Sequence, residues 1–308
     1  MTSLARRLAA HGRPFYLPIT FALSLRMEQV SWSEACADCG LAAYALRNGM
    51  SVFSADGLVN WFDPWLEAEA FGVRLDRNDR GQVAAVEKRV SNVPTAEIFA
   101  AAGAVPAAID LARRLCSETG DRHAVLGYLT GGATIVRHAL DVAARGELET
   151  GDDISQLPAA DQTRLDAIAQ CSVYLARQYC EAGVAALLVA EEVMPSGAIQ
   201  SACEPLFNLA DYYATPIVIL HRDKPTAAVI DRYRAAGAYS VLYAAEDQGR
   251  DGVVVPLSAS AEDAGNGSGG AAIAAPHDGH SQLITTAWDL PADCAADRVI
   301  AVGRNLLQ

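Results

Sequence analysis

The sequence predicts an α/β fold in which a parallel sheet is covered by helical crossovers, and three observations carry that expectation. Short apolar runs recur along the chain, they are too apolar to have one wet face, and helical patterns lie between most of them. The candidate strands are 15–21, 50–55, 124–129, 184–190, 216–221, 239–244, 252–257 and 283–288. About eight such strands in about 300 residues suit a (β/α)8 barrel, although a doubly wound sheet shows the same alternation.

The helical stretches between them include "SWSEACADCGLAAYALRNG" (31–49), "TAEIFAAAGAVPAAIDLARRLCSETG" (95–120), "AADQTRLDAIAQCSVYLARQYCEAG" (159–183) and "KPTAAVIDRYRAAGA" (224–238). Their punctuation is chemical. Ser31 or Ser33 caps the first, Asp161 opens the third of these, and Gly183 and Gly237 follow the ends of two others. No internal repeat and no linker before residue 255 divides the chain, so a single domain over 1–308 is expected. One segment stands apart: 258–280 is rich in Gly, Ala and Ser, lacks periodicity, and reads as a flexible insertion in place of a crossover helix.

Composition narrows the function. With 51% hydrophobic and 20% charged residues, the chain has apolar material for a large core. A formal net charge of -13 with scattered Lys and Arg argues against nucleic acid as a partner. No stretch approaches the roughly 18 to 20 apolar residues of a membrane span, and the N-terminal apolar run is too short for a signal peptide, so the cytoplasm is the expected location. Seven cysteines, odd in number and dispersed, fit reduced thiols better than a disulfide framework.

The chemistry-bearing residues gather in a few stretches. "SADGLVNWFDPWLEAEAFGVRLD" (54–76) sets Asp63, Glu67 and Glu69 among Trp61, Phe62 and Trp65. A carboxyl group beside indole rings is desolvated, which suits a general acid or a hydrogen-bond anchor; the plainer alternative is core tryptophans beside a helix carrying Glu67 and Glu69. "TGGAT" (130–134) opens a helix whose free N–H groups can bind an anion, and a tight turn explains the two glycines equally well. "PIVILHRDKP" (216–225) is a buried strand that runs into His221, Arg222, Asp223 and Lys224. If the extended backbone persists, His221 and Asp223 point the same way, beside Glu191 and Glu192 at the end of the preceding strand. Cys36-x-x-Cys39 has no second cysteine pair and reads as packing, and His277 and His280 read as solvated loop residues.

In their order along the chain these stretches resemble the uroporphyrinogen decarboxylase superfamily, and its cobalamin-dependent methyltransferase branch in particular. "WFDPWLEAEAFG" looks like the family's Asp ahead of an "EAEALG"-like helix, and "LGYLTGGATIVRHAL" like its Gly-Pro-x-Thr loop and helix. "LVAEEVMPSGAIQSACEPLF" is similar to its acidic-Ser-Gly segment, "VILHRDK" to its "LHiCG" strand end, and "WDLPADCAADRV" to its terminal Cys-containing turn. The resemblance covers residues 15 to 308 and implies a (β/α)8 barrel with its site at the carboxyl ends of the strands.

The departures are as informative. The family's decarboxylases carry an Arg-rich loop for a polycarboxylate porphyrinogen; here "LRMEQVSW" keeps Arg26 as one such cation, and Val30 replaces the other. The methyltransferase branch binds zinc through a His, a Cys two residues on, and a second Cys near the C-terminus. His221 is retained, but Asp223 and Trp288 stand where the cysteines would be, and Cys294 lies six residues after Trp288. The resemblance therefore implies an oxygen-rich zinc set of Glu192, His221 and Asp223, if any.

Three function classes follow. The first is methyl or alkyl transfer from a small oxygenated substrate, such as an aromatic methyl ether, to a corrinoid or thiol acceptor. In it Asp63 and His221 act in catalysis, Arg26, Trp61, Trp65, Glu67 and Thr134 contact substrate, and a corrinoid protein or a second copy of the chain is a partner. The second is a carboxy-lyase that uses Asp63 without metal. The third is a non-catalytic binding subunit.

Overall fold

A computed structural model describes residues 3–120, 122–243, 253–255, 283–286, 290, 294 and 296–306. The insertion at 258–280, with His277 and His280, and also Trp288, lie outside the described residues.

In chain order the strands are β1 (Phe15–Leu17), β2 (Gly57–Val59), β3 (Arg74–Arg77), β4 (Val83–Lys88), β5 (Ala124–Thr130), β6 (Ala186–Glu191), β7 (Ile217–His221), β8 (Ser240–Tyr243), β9 (Val253–Val255) and β10 (Leu283–Thr286). Eight of these described strands pair in parallel, in two ladders ordered β2-β5-β6-β7-β8 and β1-β10-β9. The ladders meet at both ends, β1 beside β2 and β8 beside β9. That ring is the (β/α)8 barrel expected from the sequence.

The side chains of β5, β6 and β7 are all buried, because barrel strands face packed side chains within and helices without. Each Val, Leu or Ile enclosed there contributes on the order of 1.5–3 kcal/mol. Asp56 closes the seam between β1 and β2. Its backbone N–H donates to the Tyr16 carbonyl at 2.8 Å, its carboxylate accepts from the Tyr16 N–H at 2.8 Å, and Arg13 pairs with it at 2.6 Å.

The expected helices form, with adjustments. The stretch 31–49 is two helices, Trp32–Ala37 and Cys39–Val52, separated at Asp38, whose carboxylate caps the second. Ser31 caps the first in a reciprocal capping box with Glu34, worth about 1 kcal/mol. The stretch 95–120 likewise divides into Ala96–Ala100 and Val105–Thr119. Ala159–Ala182 starts from Pro158, with Asp161 in its first turn, and it and Ala227–Ala236 end on left-handed Gly183 and Gly237 as expected.

Two expectations need correction. The run 50–55 is no strand: Met50 to Val52 complete the helix Cys39–Val52, and the strand begins at Gly57. Helical packing against the barrel overrides the β preference of so short an apolar run. The antiparallel hairpin β3–β4 was not expected, since its residues are half exposed and half of its strand positions carry charges. Its tip folds back over the barrel mouth, where the Trp32 N–H donates to the Asp79 carbonyl at 3.1 Å. Gly81, at φ +79, lies so close to the Trp32 ring that a Cβ would fall 2.4 Å from it.

Candidate active site

A cavity of about 250 Å3 lies where the chain leaves β2, between the helix that follows β1 and the tip of the hairpin. Phe21, Leu25, Trp32, Phe62 and Trp65 form its apolar walls, and Asp63, Arg77, Arg80 and Gln82 supply its polar groups. Trp61 is fully buried one layer behind, against Phe21 and Trp32 at centroid distances of 5.2 Å.

Asp63 is the buried acid of this cavity, only 4% exposed. One carboxylate oxygen accepts the Trp65 backbone N–H at 3.1 Å and the other accepts from the Arg77 guanidinium at 2.8 Å. Arg77 also donates to Glu69 at 2.9 Å and to the Gly81 carbonyl at 2.7 Å, and its guanidinium sits 4.8 Å from the centroid of Trp32. Burial pushes the Asp63 carboxyl above its ordinary range, and the Arg77 guanidinium opposes that push. The hairpin is thus fastened to the acid through one arginine.

Behind the cavity wall, the Trp65 indole stacks on the His138 imidazole, with centroids 3.7 Å apart and planes 5° from parallel. Nδ1 of His138 lies 2.9 Å from the Pro64 carbonyl and Nε2 lies 2.9 Å from the Glu192 carboxylate. Each ring nitrogen thus faces an oxygen acceptor. Glu192 is also 3.5 Å from Arg222. Burial pushes its carboxyl up, but His138 and Arg222 outweigh burial and hold it below the ordinary carboxylate range.

The loop "TGGAT" does bind an anion, and the anion is the chain's own. The Glu191 carboxylate accepts from the N–H groups of Ala133 at 3.2 Å and Thr134 at 2.9 Å, and from the Thr134 hydroxyl at 2.8 Å, at the start of helix Gly132–Ala139. Gly131 is required there because a Cβ would overlap Glu191. Thr134, fully buried, accepts the Glu192 N–H at 2.7 Å and so joins the helix to the end of β6. Glu67 plays a matching part: fully buried, it accepts from the Thr130 N–H at 2.9 Å and from the Thr130 hydroxyl. Burial pushes Glu67 and Glu191 each up to about 7, against these donors. Glu67 and Thr134 therefore brace the strand ends and are not among the residues that line the cavity.

Glu192, His221 and Asp223 do not converge. Val189 and Ile219, two residues earlier on β6 and β7, face a small space beneath the outer helices, and alternation puts Glu191 and His221 on the same outer face. The His221 ring accordingly lies 5.9 Å from Tyr233 of helix Ala227–Ala236. It is 1% exposed, its Nε2 has no partner, and burial pushes its pKa down to about 4. Extended backbone ends at His221, leaving Asp223 exposed in a turn, while Glu192 faces His138. Among the described residues no group of three His, Cys, Asp or Glu side chains is placed to hold a metal ion, so these residues do not fit the zinc set that the sequence suggested.

Arg26 is exposed and donates to the Cys294 carbonyl at 3.1 Å, away from the cavity; Arg77 is the cation beside Asp63. Arg77, Trp32 and His138 were missed by sequence reasoning. For Arg77 the signal was present in "RNDRGQ" (77–82), a turn sequence between two half-buried runs. For His138 no linear spacing ties it to Pro64 and Glu192.

Comparison with known proteins agrees with this architecture. Comparison with curated proteins returned no match. A solved methyltransferase from Methanosarcina mazei superposes with a TM-score of 0.71 over 100% of this chain and 99% of that one, at 12% identity, a likeness of fold. The sequence model of the uroporphyrinogen decarboxylase (URO-D) family matches residues 19–240, which include β1's exit, Asp63, His138, Glu192 and His221. Since that match spans well over half of its length, the chain belongs to the uroporphyrinogen decarboxylase (URO-D) family.

Proposed function

We propose that the chain transfers a methyl or other small alkyl group from a small oxygenated substrate, such as an aromatic methyl ether, bound in the Asp63 cavity. The observation that carries this reading is the cavity itself: about 250 Å3, walled by Phe21, Trp32, Phe62 and Trp65, with one arginine-paired carboxylate. Drug-sized ligands need roughly 300–1,000 Å3, so a single-ring molecule suits this space and a tetrapyrrole does not. Of its two lining arginines, Arg77 is already committed to Asp63 and Glu69, which leaves too little positive charge for a polycarboxylate. The methyltransferase of matching fold supports the same class of reaction.

In this reading the aromatic walls hold a planar substrate and exclude water. Asp63 orients a substrate donor group, and the guanidinium groups of Arg77 and Arg80 offset the negative charge that collects on the leaving oxygen as the carbon–oxygen bond breaks. A corrinoid is too large for the cavity, so as acceptor it would meet the mouth from outside, carried by a partner protein. No step is assigned to zinc.

The test is alkyl transfer from methanol and 2-methoxyphenol to cob(I)alamin or a thiol, followed by the absorbance of the alkylated acceptor. Asp63→Asn is expected to lower turnover at least 100-fold. Carbon dioxide release from carboxylate substrates that depends on Asp63, with no alkyl transfer, would replace this reading by the carboxy-lyase one.

A further inference from the structure

We propose that His138 is a positioning residue for the cavity: its ring, oriented by Glu192, fixes the Asp63-Pro64-Trp65 turn and thereby the direction of the Asp63 carboxylate. The inference deepens the transferase reading and, in its kinetic part, rests on it.

The turn is gripped at two consecutive residues by one side chain. His138 faces the Pro64 carbonyl at 2.9 Å through Nδ1 and covers the Trp65 indole in parallel stacking, while Trp65 in turn donates its N–H to Asp63. The imidazole cannot rotate, since Nε2 is held at 2.9 Å by Glu192 and the side chain is 7% exposed. Glu192 is fixed by the Thr134 hydroxyl at its backbone and by Arg222 at its carboxylate. A continuous set of contacts therefore runs from the end of β6 to the turn after β2, across strand β5 that separates them. On its other side Asp63 meets Arg77 of the hairpin, so the acid is set between a fixed turn and a fastened flap. The ring does not line the cavity, which is why its part is to position.

Two substitutions separate this role from packing. His138→Asn keeps a donor where Nδ1 stands and loses the aromatic face; His138→Phe keeps the stacking face and loses both ring nitrogens. Positioning through the Pro64 carbonyl predicts that kcat in the alkyl-transfer assay falls about 10- to 100-fold in His138→Phe, with KM within about threefold, and is restored in large part by His138→Asn. If the ring only packs, the order reverses and His138→Phe is the better enzyme, which overturns the proposal. A second measurement is independent of any turnover. The 13C signal of the Asp63 carboxyl, recorded in labelled protein without substrate, is expected to move in His138→Phe and to stay near its wild-type position in His138→Asn. An unmoved signal in His138→Phe overturns the proposal even if no substrate is found; a moved signal in protein inactive on every substrate tested upholds the positioning and removes only the transferase reading.

Discussion

The two sides of the barrel mouth treat buried ionisable groups in opposite ways. After β2, Asp63 is enclosed but keeps Arg77 at 2.8 Å and borders a cavity. At the end of β7, His221 is enclosed at least as deeply, has no hydrogen-bond partner at Nε2, and has its pKa pushed down to about 4. Beside it on β6, Glu191 meets only neutral donors and is pushed up to about 7. The difference teaches where chemistry is available. A buried charge persists where a counter-charge accompanies it; elsewhere burial pushes each group toward its neutral form.

The largest break in this comparison is Arg77→Ala. It strands the Asp63 carboxylate in the cavity wall and frees the hairpin tip, and should cost about 3–5 kcal/mol in denaturant unfolding at neutral pH. Lowering the pH should recover part of the loss, because Asp63 without its cation protonates readily.

The pH dependence of stability tests the β6 side. Glu67 and Glu191 have folded pKa values raised to about 7, so the stability linked to their protonated forms is present below about 4.5 and is lost as pH rises through 7. The loss is on the order of 3 kcal/mol for each. Unfolding free energies measured from pH 5 to 8 should fall in the wild type, and Glu191→Gln should remove roughly half of that fall.

His221 has the opposite sign. Its folded pKa of about 4 lies below the ordinary 6.5, so its contribution is present above 6.5 and is lost as pH falls toward 4. His221→Gln should flatten that acid limb, an effect on the order of 3 kcal/mol, without changing binding of 2-methoxyphenol in the cavity. Zinc content of purified protein should not depend on His221, whose ring is turned outward toward Tyr233. The smallest effect expected is for Arg26→Ala, within about 0.5 kcal/mol of wild-type stability and without effect on turnover, since its side chain is exposed and does not line the cavity.

Legibility in the sequence followed the range of the interactions. The strand runs at 124–129, 184–190 and 216–221 became β5, β6 and β7 because burial on both faces writes itself into consecutive residues. Asp63 and Trp65 were legible because their setting lies within a few residues, in "WFDPWLEAEA". The expected set of Glu192, His221 and Asp223 went astray because its geometry depends on where β7 stops and which face each side chain takes. A one-residue change in that limit reverses the face.

By itself, then, the sequence determined the alternation of buried strands and helices, the family to which they belong, and the acid on the turn after β2. Only the tertiary structure decided which charges meet. Arg77 reaches Asp63 through a hairpin folded back on the mouth, His138 reaches Pro64 and Glu192 across β5, and His221 faces away toward Tyr233. Hydrophobic periodicity is a local property that a chain displays residue by residue, whereas the pairing of ionisable groups is settled by burial and direction after the barrel has closed.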